Sequence, residues 1–357
     1  MNQHLKRVVV VLAGGQGTRF WPVSRSKRPK QFLSISDDGE SLIQATVRRV
    51  RPVMEEVPPV IVTNQLHKEL IREHVPDAVI ISEPVGRNTA ASIALAAVHI
   101  EKRYGDAVCV VLPADHAISN SEELCRVLND AALLAEQQSL LVTIGVRPTH
   151  PHTGYGYIKR GKAIANGGYM VDRFFEKPSL ERAEQYLEAG NYLWNSGMFV
   201  WRSSTILSAI QVLMPELWQV VERLRTVVGT SAEEAATAEA FESLESISID
   251  FGILEHARNC AVIDAAPFGW NDVGSWDAWA EHFERDAESN LLRGDVLAIE
   301  SKNCVVQSEH KFTAILGVEN LVVIDSGDAL LICPSHEVQE VRRIVEALKV
   351  KGRKELL

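Results

Sequence analysis

Short unbroken apolar runs alternate with segments of helical periodicity through the first half of the chain. Val8–Leu12 is a continuous, largely β-branched run closed by Gly14-Gly15, the pattern of a strand covered on both faces. Leu42–Val50 repeats its apolar positions at helical spacing. Val60–Thr63 predicts a strand, Gln65–His74 a helix and Ala78–Ser82 another strand. Thr89–Arg103 is alanine-rich and predicts a helix opened by Asn88 or Thr89 as its cap. Ala107–Leu112 predicts a strand running into Pro113-Ala114-Asp115-His116, followed by a helix over Glu122–Gln137 and a strand over Leu140–Val146. This rhythm predicts an α/β fold, a Rossmann-like and mainly parallel sheet with helices on both faces. Ligands of such sheets sit beyond the carboxyl ends of the strands.

After His150 the pattern changes. Gly154–Arg160 and Tyr169–Phe175 predict antiparallel strands, Met198–Trp201 a further strand and Thr205–Val228 a helix. Ser231–Leu244, rich in alanine and glutamate, predicts an exposed helix. A break falls near Glu284–Asn290. Beyond it, Asp295–Cys333 is a series of short β-like runs punctuated by Gly317, Asn320 and Gly327, before a closing helix over Glu337–Lys349. That spacing predicts a small β-rich, β-helix-like appendage. The expected organisation is a domain of residues 1–285 that carries the chemistry and a segment 286–357 that serves assembly.

The composition, 46% hydrophobic and 24% charged over 357 residues, is that of a globular chain with a substantial core. A net charge of −10 argues against general affinity for nucleic acid or an anionic membrane. One stretch departs from that balance: Arg19, Arg25, Lys27, Arg28 and Lys30 lie together with no acidic residue among them. A basic island in an acidic protein suits a compact anion. The five cysteines are scattered and show no C-x-x-C spacing, as expected of buried thiols in a reducing compartment. The run Val8–Ala13 is too short to span a membrane and leads into a glycine turn, not a cleavage site. A cytoplasmic location is expected.

The candidate chemistry begins at Leu12-Ala-Gly-Gly-Gln-Gly-Thr-Arg19 and Pro29-Lys30-Gln31. Leu12, Ala13, Gly14, Gly15, Gly17 and Thr18 form a glycine-rich strand end whose N–H groups could face a phosphate. Arg19 could fork onto phosphate oxygens and Lys30 add a point charge. Neither the dinucleotide fingerprint nor the P-loop pattern is present, so a plain glycine turn beside a solvated basic loop stays open on these residues alone. Asp115 at a strand end and Asp272 in the Gly269–Gly274 turn could share Mg²⁺, which takes one or two carboxylates plus substrate phosphates. Ordinary turn or capping roles are the alternative for each. Glu176-Lys177 precedes Pro178, which keeps Lys177 extended, and strand geometry would send the two side chains to opposite sides. Glu83 lies past a strand end before Gly86, where solvent exposure is the plain expectation. Arg87, Asn88 and Thr89 begin a helix, whose N-terminus favours an anion. Trp194, Trp201, Trp270, Trp276 and Trp279 read mainly as core or pocket wall. His116, His150 and His152 match no zinc spacing.

LAGGQGTRFWPVSRSKRPKQFL closely resembles the signature of the sugar-1-phosphate nucleotidyltransferases. Its W-P-x-S-R and P-K-Q-F elements resemble their mannose-1-phosphate guanylyltransferase branch. The resemblance continues in the family's order through Glu83-Pro-Val-Gly-Arg-Asn-Thr89, Pro113-Ala-Asp-His116 and Thr153-Gly-Tyr-Gly-Tyr157. Glu176-Lys-Pro178, Trp194-Asn-Ser-Gly-Met-Phe199, Ser248-Ile-Asp-Phe251 and Trp270-Asn-Asp-Val-Gly-Ser-Trp276 complete it.

The resemblance implies in-line attack of mannose 1-phosphate on the α-phosphorus of GTP, giving GDP-mannose and pyrophosphate. By the same resemblance the glycine loop and Arg19 hold the β- and γ-phosphates, Lys30 sits by the α-phosphate, and Asp115 and Asp272 bind Mg²⁺. Glu83, Gly86, Arg87, Asn88 and Thr89 would serve the nucleotide, with Glu83 or nearby backbone accepting from guanine. Gly156, Glu176, Lys177 and Asn195 would form the sugar-phosphate pocket, which Gly197 keeps open. The family commonly has an acidic residue where His152 stands, so no role is carried to that position. A homodimer is implied at family level. The alternatives are transfer to another sugar 1-phosphate or from another nucleotide, or a non-catalytic GDP-mannose-sensing regulatory paralogue. A sensor would not need all of Arg19, Lys30, Asp115 and Asp272. Many bacterial relatives carry a fused phosphomannose isomerase domain; the stretch after the last motif is too short for one, and isomerase activity is not expected.

Overall fold

The computed structural model describes residues 5–36 and 39–357. Strands β1 (Arg7–Ala13), β2 (Val60–Asn64), β3 (Val79–Glu83) and β4 (Val108–Pro113) alternate with helices α1 (Leu42–Val50), α2 (Lys68–His74) and α3 (Asn88–Tyr104). The two-residue strand β5 (Ala117–Ile118) and helix α4 (Ser121–Gln138) lead to β6 (Leu141–Val146), the pair β7 (Gly156–Ala163) and β8 (Gly168–Glu176), α5 (Leu180–Ala189) and β9 (Tyr192–Arg202). Helices α6 (Ser203–Leu213), α7 (Pro215–Val227) and α8 (Glu233–Ser243) precede β10 (Cys260–Ala265) and β11 (Trp270–Asn271). The chain ends through α9 (Trp276–Ala280), β12 (Leu291–Ile299), β13 (Val305–Leu316), β14 (Leu321–Asp325), β15 (Leu330–Pro334) and α10 (Arg342–Val350).

Two compact units result. The first takes the chain to Gly14, Val47–Ala114 and Ile118–Trp270; the second takes Gly15–Thr46, Asp115–Ala117 and Asn271–Leu357. In the first, nine strands form one sheet in the order β3-β2-β1-β4-β9-β6-β10-β8-β7. The early strands pair in parallel, β1 with β2 and β4, and β2 with β3. Val8–Val11 of β1 are each at most 1% exposed, as a strand covered on both faces requires. The parallel arrangement expected for the sheet runs through this half and returns at β6–β10. Elsewhere the pairing is antiparallel: β9 enters between β4 and β6, and β7–β8 closes through a link too short for a crossover.

Alanines let α3 bury almost its whole length, Ala90–Val98 and Ile100, against the sheet and against Ile206, Leu217 and Val221. The single helix expected over Thr205–Val228 is two, because Pro215 has no N–H to continue α6 and instead starts α7. Helix α8, expected to be exposed, buries Thr237, Ala240 and Phe241. Strand β9 begins at Tyr192 rather than Met198; polar Asn195-Ser196 within it masks the apolar run. Strand β10 is a further element that the apolar pattern did not single out.

In the second unit β12, β13 and β14 pair in parallel and β15 antiparallel to β14. Consecutive parallel strands joined by links this short must coil, which makes this segment β-helix-like. Its apolar side is Val305, Val322, Ile324, Leu331 and Val338, packed with Phe20, Trp21, Leu33, Trp276 and Trp279. Two indole hydrogen bonds pin the same layer, Trp21 Nε1 to the Leu356 carbonyl at 2.9 Å and Trp276 Nε1 to the Trp21 carbonyl at 3.2 Å. The C-terminal strands are therefore the floor on which the segment following the glycine turn folds. Among the described residues no helix is long and apolar enough to cross a membrane.

Candidate active site

The second unit gathers the cationic and acidic candidates. Pro29 delivers an extended backbone, and the short 3₁₀ turn that follows buries Lys30 to 6% exposure. Gly17 packs on it: with φ at +60° and a Cβ position only 2.4 Å from Lys30 Cβ, this site admits glycine alone. Lys30 Nζ donates to Asp115 Oδ2 at 2.8 Å and to the Asp272 backbone carbonyl at 2.6 Å. Burial opposes ionisation of Asp115, but the Lys30 ammonium and His116 outweigh it and keep the carboxyl below its usual range. A Cβ on Gly274 would lie 2.9 Å from Asp272 Oδ2 and 3.3 Å from Arg19 Nη1, so that carboxylate and that guanidinium converge on bare backbone. Arg19 Nη1 also donates to Gln339 Oε1 at 2.7 Å, and Gln339 Nε2 to Ser275 Oγ at 2.9 Å. Arg19, Lys30, Asp115 and Asp272 thus form one cluster. Thr18 opens the turn Thr18–Phe20, and Gly15 stands exposed with open space around it.

Such a set fits a divalent cation of the magnesium type. Its donors are hard carboxylate oxygens, and among the described residues no group of three or more His, Cys, Asp or Glu side chains makes a complete protein ligand set. Magnesium characteristically takes one or two carboxylates and completes its shell with phosphate and water.

The first unit holds the remaining candidates. Leu12 and Ala13 are tied into the sheet, the Leu12 carbonyl accepting from Ala114 N at 3.1 Å and the Ala13 carbonyl from Thr63 Oγ1 at 3.2 Å. Glu83, the last residue of β3, is 2% exposed, which overturns the expectation of a solvated side chain. Its Oε1 accepts from Ser92 Oγ at 2.5 Å, and a Cβ on Gly14 would come within 3.2 Å of its Oε2. Burial pushes its pKa up to about 7, the Ser92 hydrogen bond opposing only part of the shift.

Gly86 has open space around it. The Arg87 guanidinium donates to the carbonyls of Phe241 and Glu242 at 2.6 and 2.7 Å. It thereby satisfies carbonyls of the last turn of α8, groups with no partner inside their own helix. The cap expected from Asn88 or Thr89 is not formed. Asn88 has φ at +64° and its Oδ1 accepts from the adjacent Thr89 N, while Thr89 Oγ1 accepts from Ile249 N at 2.8 Å.

Gly156 opens β7 directly opposite Glu176 on β8. A Cβ there would be 2.7 Å from Glu176 Oε2 and 3.4 Å from Asn195 Cβ, so these three residues share one point. Asn195 is locked: its Nδ2 donates to Asp250 Oδ1 at 2.6 Å, and its Oδ1 accepts from Gly197 N at 3.2 Å and Thr143 Oγ1 at 3.3 Å. Lys177 and Glu176 do not point to opposite sides. Strand β8 ends at Glu176 and Lys177 turns left-handed at φ +44°, which folds its ammonium back to 3.4 Å from Glu176 Oε1. Asp250 was visible only as part of the Ser248–Phe251 element and carried no separate expectation. Burial raises its pKa to about 6, against the Asn195 hydrogen bond and with help from the nearby Glu176 charge. Beside this pocket Trp194 packs edge-on to Tyr155, which stacks on His152, while Trp201, Trp276 and Trp279 lie in the cores.

With this geometry in place, the similarities to known proteins become informative. The nucleotidyl transferase family profile matches residues 8–289, and that of the MannoseP isomerase/GMP-like beta-helix domain matches residues 294–348. A mannose-1-phosphate guanylyltransferase from Salmonella muenchen is 39% identical over 359 residues, spanning 98% of this chain and 75% of that protein. Its counterpart from Salmonella typhimurium is 39% identical over 355 residues, 97% of this chain and 73% of that one. The crystal structure of a mannose-1-phosphate geranyltransferase from Thermus thermophilus superposes with a TM-score of 0.87 at 33% identity, covering 97% of this chain and all of that chain.

Proposed function

We propose, because the chain belongs to the nucleotidyl transferase family and within it to the mannose-1-phosphate guanylyltransferases, that it transfers GMP from GTP to α-D-mannose 1-phosphate. The products are GDP-mannose and pyrophosphate. The observation that carries this reading is the buried Lys30 ammonium held between the Asp115 carboxylate and the Asp272 carbonyl, with Arg19 converging beside Asp272.

The reaction joins two anions that repel one another, so positioning and charge neutralisation are the whole task. A sugar-phosphate oxygen attacks the α-phosphorus in line, a P–O bond forms as the bond to the bridging oxygen breaks, and pyrophosphate leaves with that electron pair. Lys30 is preorganised for the α-phosphate because its own partners fix it and its burial removes competing water. At about 4 Å one unit-charge pair is worth roughly 4 kcal/mol at an effective dielectric near 20, so a few such contacts offset the repulsion. Arg19 and the N–H groups of the glycine turn serve the β- and γ-phosphates. A divalent cation bound by Asp115 and Asp272 would supply further neutralisation of phosphate charge. Glu83 accepts from the N1–H and amino group of guanine, while Gly156, Glu176, Lys177 and Asn195 receive the sugar phosphate. Five cysteines with no disulfide among them support a reducing compartment, the cytoplasm in our reading.

The test is direct. The purified chain is given GTP, mannose 1-phosphate and Mg²⁺, and GDP-mannose and pyrophosphate are quantified by anion-exchange chromatography. Equimolar formation of both is expected. A folded protein that makes neither, or that makes pyrophosphate without sugar nucleotide, would refute the reading.

A further inference from the structure

Gln339 lies in the C-terminal segment expected to serve assembly, yet its side chain reaches the phosphate cluster. It stands on the 3₁₀ turn Ser335–Val341. Val338 and Val341 of that turn are each 2% exposed and pack in the layer of Phe20, Trp21 and Trp276. This packing fixes the backbone and leaves Gln339 itself on the surface. Four side chains then form one hydrogen-bonded series. Arg19 Nη1 donates to Gln339 Oε1 at 2.7 Å, Gln339 Nε2 donates to Ser275 Oγ at 2.9 Å, and Ser275 Oγ donates to Asp277 Oδ1. The polarity of the series has one solution. An ionised carboxylate only accepts, so the Ser275 hydroxyl gives its proton to Asp277 and accepts from Gln339. The amide must therefore turn its NH₂ to Ser275 and its oxygen to Arg19, whose guanidinium only donates. Ser275 is 2% exposed, so the far end of the series is fixed in the core.

That the partner is an amide matters. A carboxylate would neutralise the guanidinium and compete with phosphate, whereas a neutral oxygen orients it and leaves its charge for the ligand. A guanidinium ordered beforehand also spares the ligand the cost of immobilising it. We propose that Gln339 is a positioning residue for the pyrophosphate half of GTP, holding Arg19 in the orientation that grips the β- and γ-phosphates. The inference rests on the phosphate reading of Arg19 and deepens it: the C-terminal segment takes part in the reaction as well as in packing.

The test is a double-mutant cycle in the full chain, on wild type, Gln339→Met, Arg19→Met and the double variant. Pyrophosphate binding is measured by calorimetric titration with Mg²⁺ present, and kcat/KM for GTP by initial rates. Methionine keeps the length of Gln339 and removes both hydrogen bonds at a surface position. Gln339→Met should weaken pyrophosphate binding and lower kcat/KM for GTP about tenfold, with KM for mannose 1-phosphate within about twofold of wild type. In the Arg19→Met background the same change should cost less than about twofold, because no guanidinium is left to position. Gln339→Glu keeps the acceptor but adds a charge, so it should bind pyrophosphate more weakly than Gln339→Met does. Pyrophosphate binding by Gln339→Met within about twofold of wild type, or an equal loss with and without Arg19, would overturn the proposal. Should Gln339→Met not fold, Gln339→Glu decides: wild-type pyrophosphate affinity in that variant overturns it as well. The two readings fail separately. A loss in Arg19→Met with none in Gln339→Met removes the positioning role alone, whereas no loss in either removes Arg19 from the phosphate site too.

Discussion

Replacing Glu83 by glutamine tests the buried carboxyl in a way that does not depend on turnover. Glu83 is 2% exposed and its pKa is raised from 4.5 to about 7 by burial. Because the folded value lies above the unfolded one, folding favours the protonated form. The stabilisation is fully present below about 4.5 and is lost as pH rises through about 7. A rise from 4.5 to about 7 corresponds, at about 1.4 kcal/mol for each tenfold change in acidity, to about 3 kcal/mol. Most of it should appear between pH 5 and 8. Glutamine keeps the shape and can still accept from Ser92 Oγ, but it has no proton to lose. Denaturant unfolding of wild type and Glu83→Gln from pH 5 to 8.5 gives the difference directly, and subtraction cancels the other titrating groups. The variant should gain on wild type by about 2–3 kcal/mol across that range.

The same linkage reaches the nucleotide. If guanine's two donors need the ionised carboxylate, GTP affinity of wild type should rise with pH through about 7, and Glu83→Gln should lose that slope together with discrimination against ATP. Parallel stability curves for the two proteins would show that Glu83 carries no raised pKa. A retained slope and an unchanged GTP-to-ATP ratio would show that it does not read the base.

Lys30→Met keeps bulk but removes the ammonium between Asp115 and Asp272, so kcat should fall about 10²–10³-fold; a kcat within about threefold of wild type, with only GTP affinity altered, refutes the α-phosphate role. Asp272→Asn should abolish most turnover while leaving the melting profile intact, since the Lys30 contact uses the Asp272 backbone carbonyl rather than its side chain. Full activity in EDTA, or normal turnover by that variant, would remove the metal assignment. Arg87→Ala should cost stability by about 1–3 kcal/mol, because two carbonyls at the end of α8 lose their donors, with little change in KM for GTP. A large rise in that KM with unaltered stability would return Arg87 to the nucleotide. Truncation after residue 285 should destabilise the segment carrying Phe20, Trp21 and Leu33, whose core it shares, and an intact, fully active truncated protein would contradict that packing.

What could be read from the chain divides along a physical line. Local signals carried far: the β-branched run of β1, the alanine-rich α3 and the glycine and turn punctuation of β12–β15 each state their own conformation, and the structure follows them. Pairing direction was less local. Strand β9 is antiparallel to β4, β6 and β7 because of how the chain returns, and nothing within Tyr192–Arg202 encodes that.

The site shows the same division more sharply. Lys30, Asp115 and Asp272 could be picked out by motif, but their mutual geometry comes from segments 85 and 242 positions apart meeting at one nitrogen. Glu83 and Asp250 illustrate why burial is the harder inference. Each ends or begins an element at the edge of an apolar run, where a polar residue ordinarily meets solvent. What covers them is supplied elsewhere, by Ser92 and the Gly14 backbone in one case and by Asn195 from β9 in the other. Arg87 is the converse, a cation in a nucleotide motif whose partners are carbonyls more than 150 residues away. A motif therefore names which side chains are available, and only the covering segment decides whether a carboxylate stays charged and toward what. In this fold that decision gives Glu83 a pKa near neutrality and leaves Lys30 fixed before any phosphate arrives. These are the two properties on which the proposed guanine reading and phosphate transfer depend.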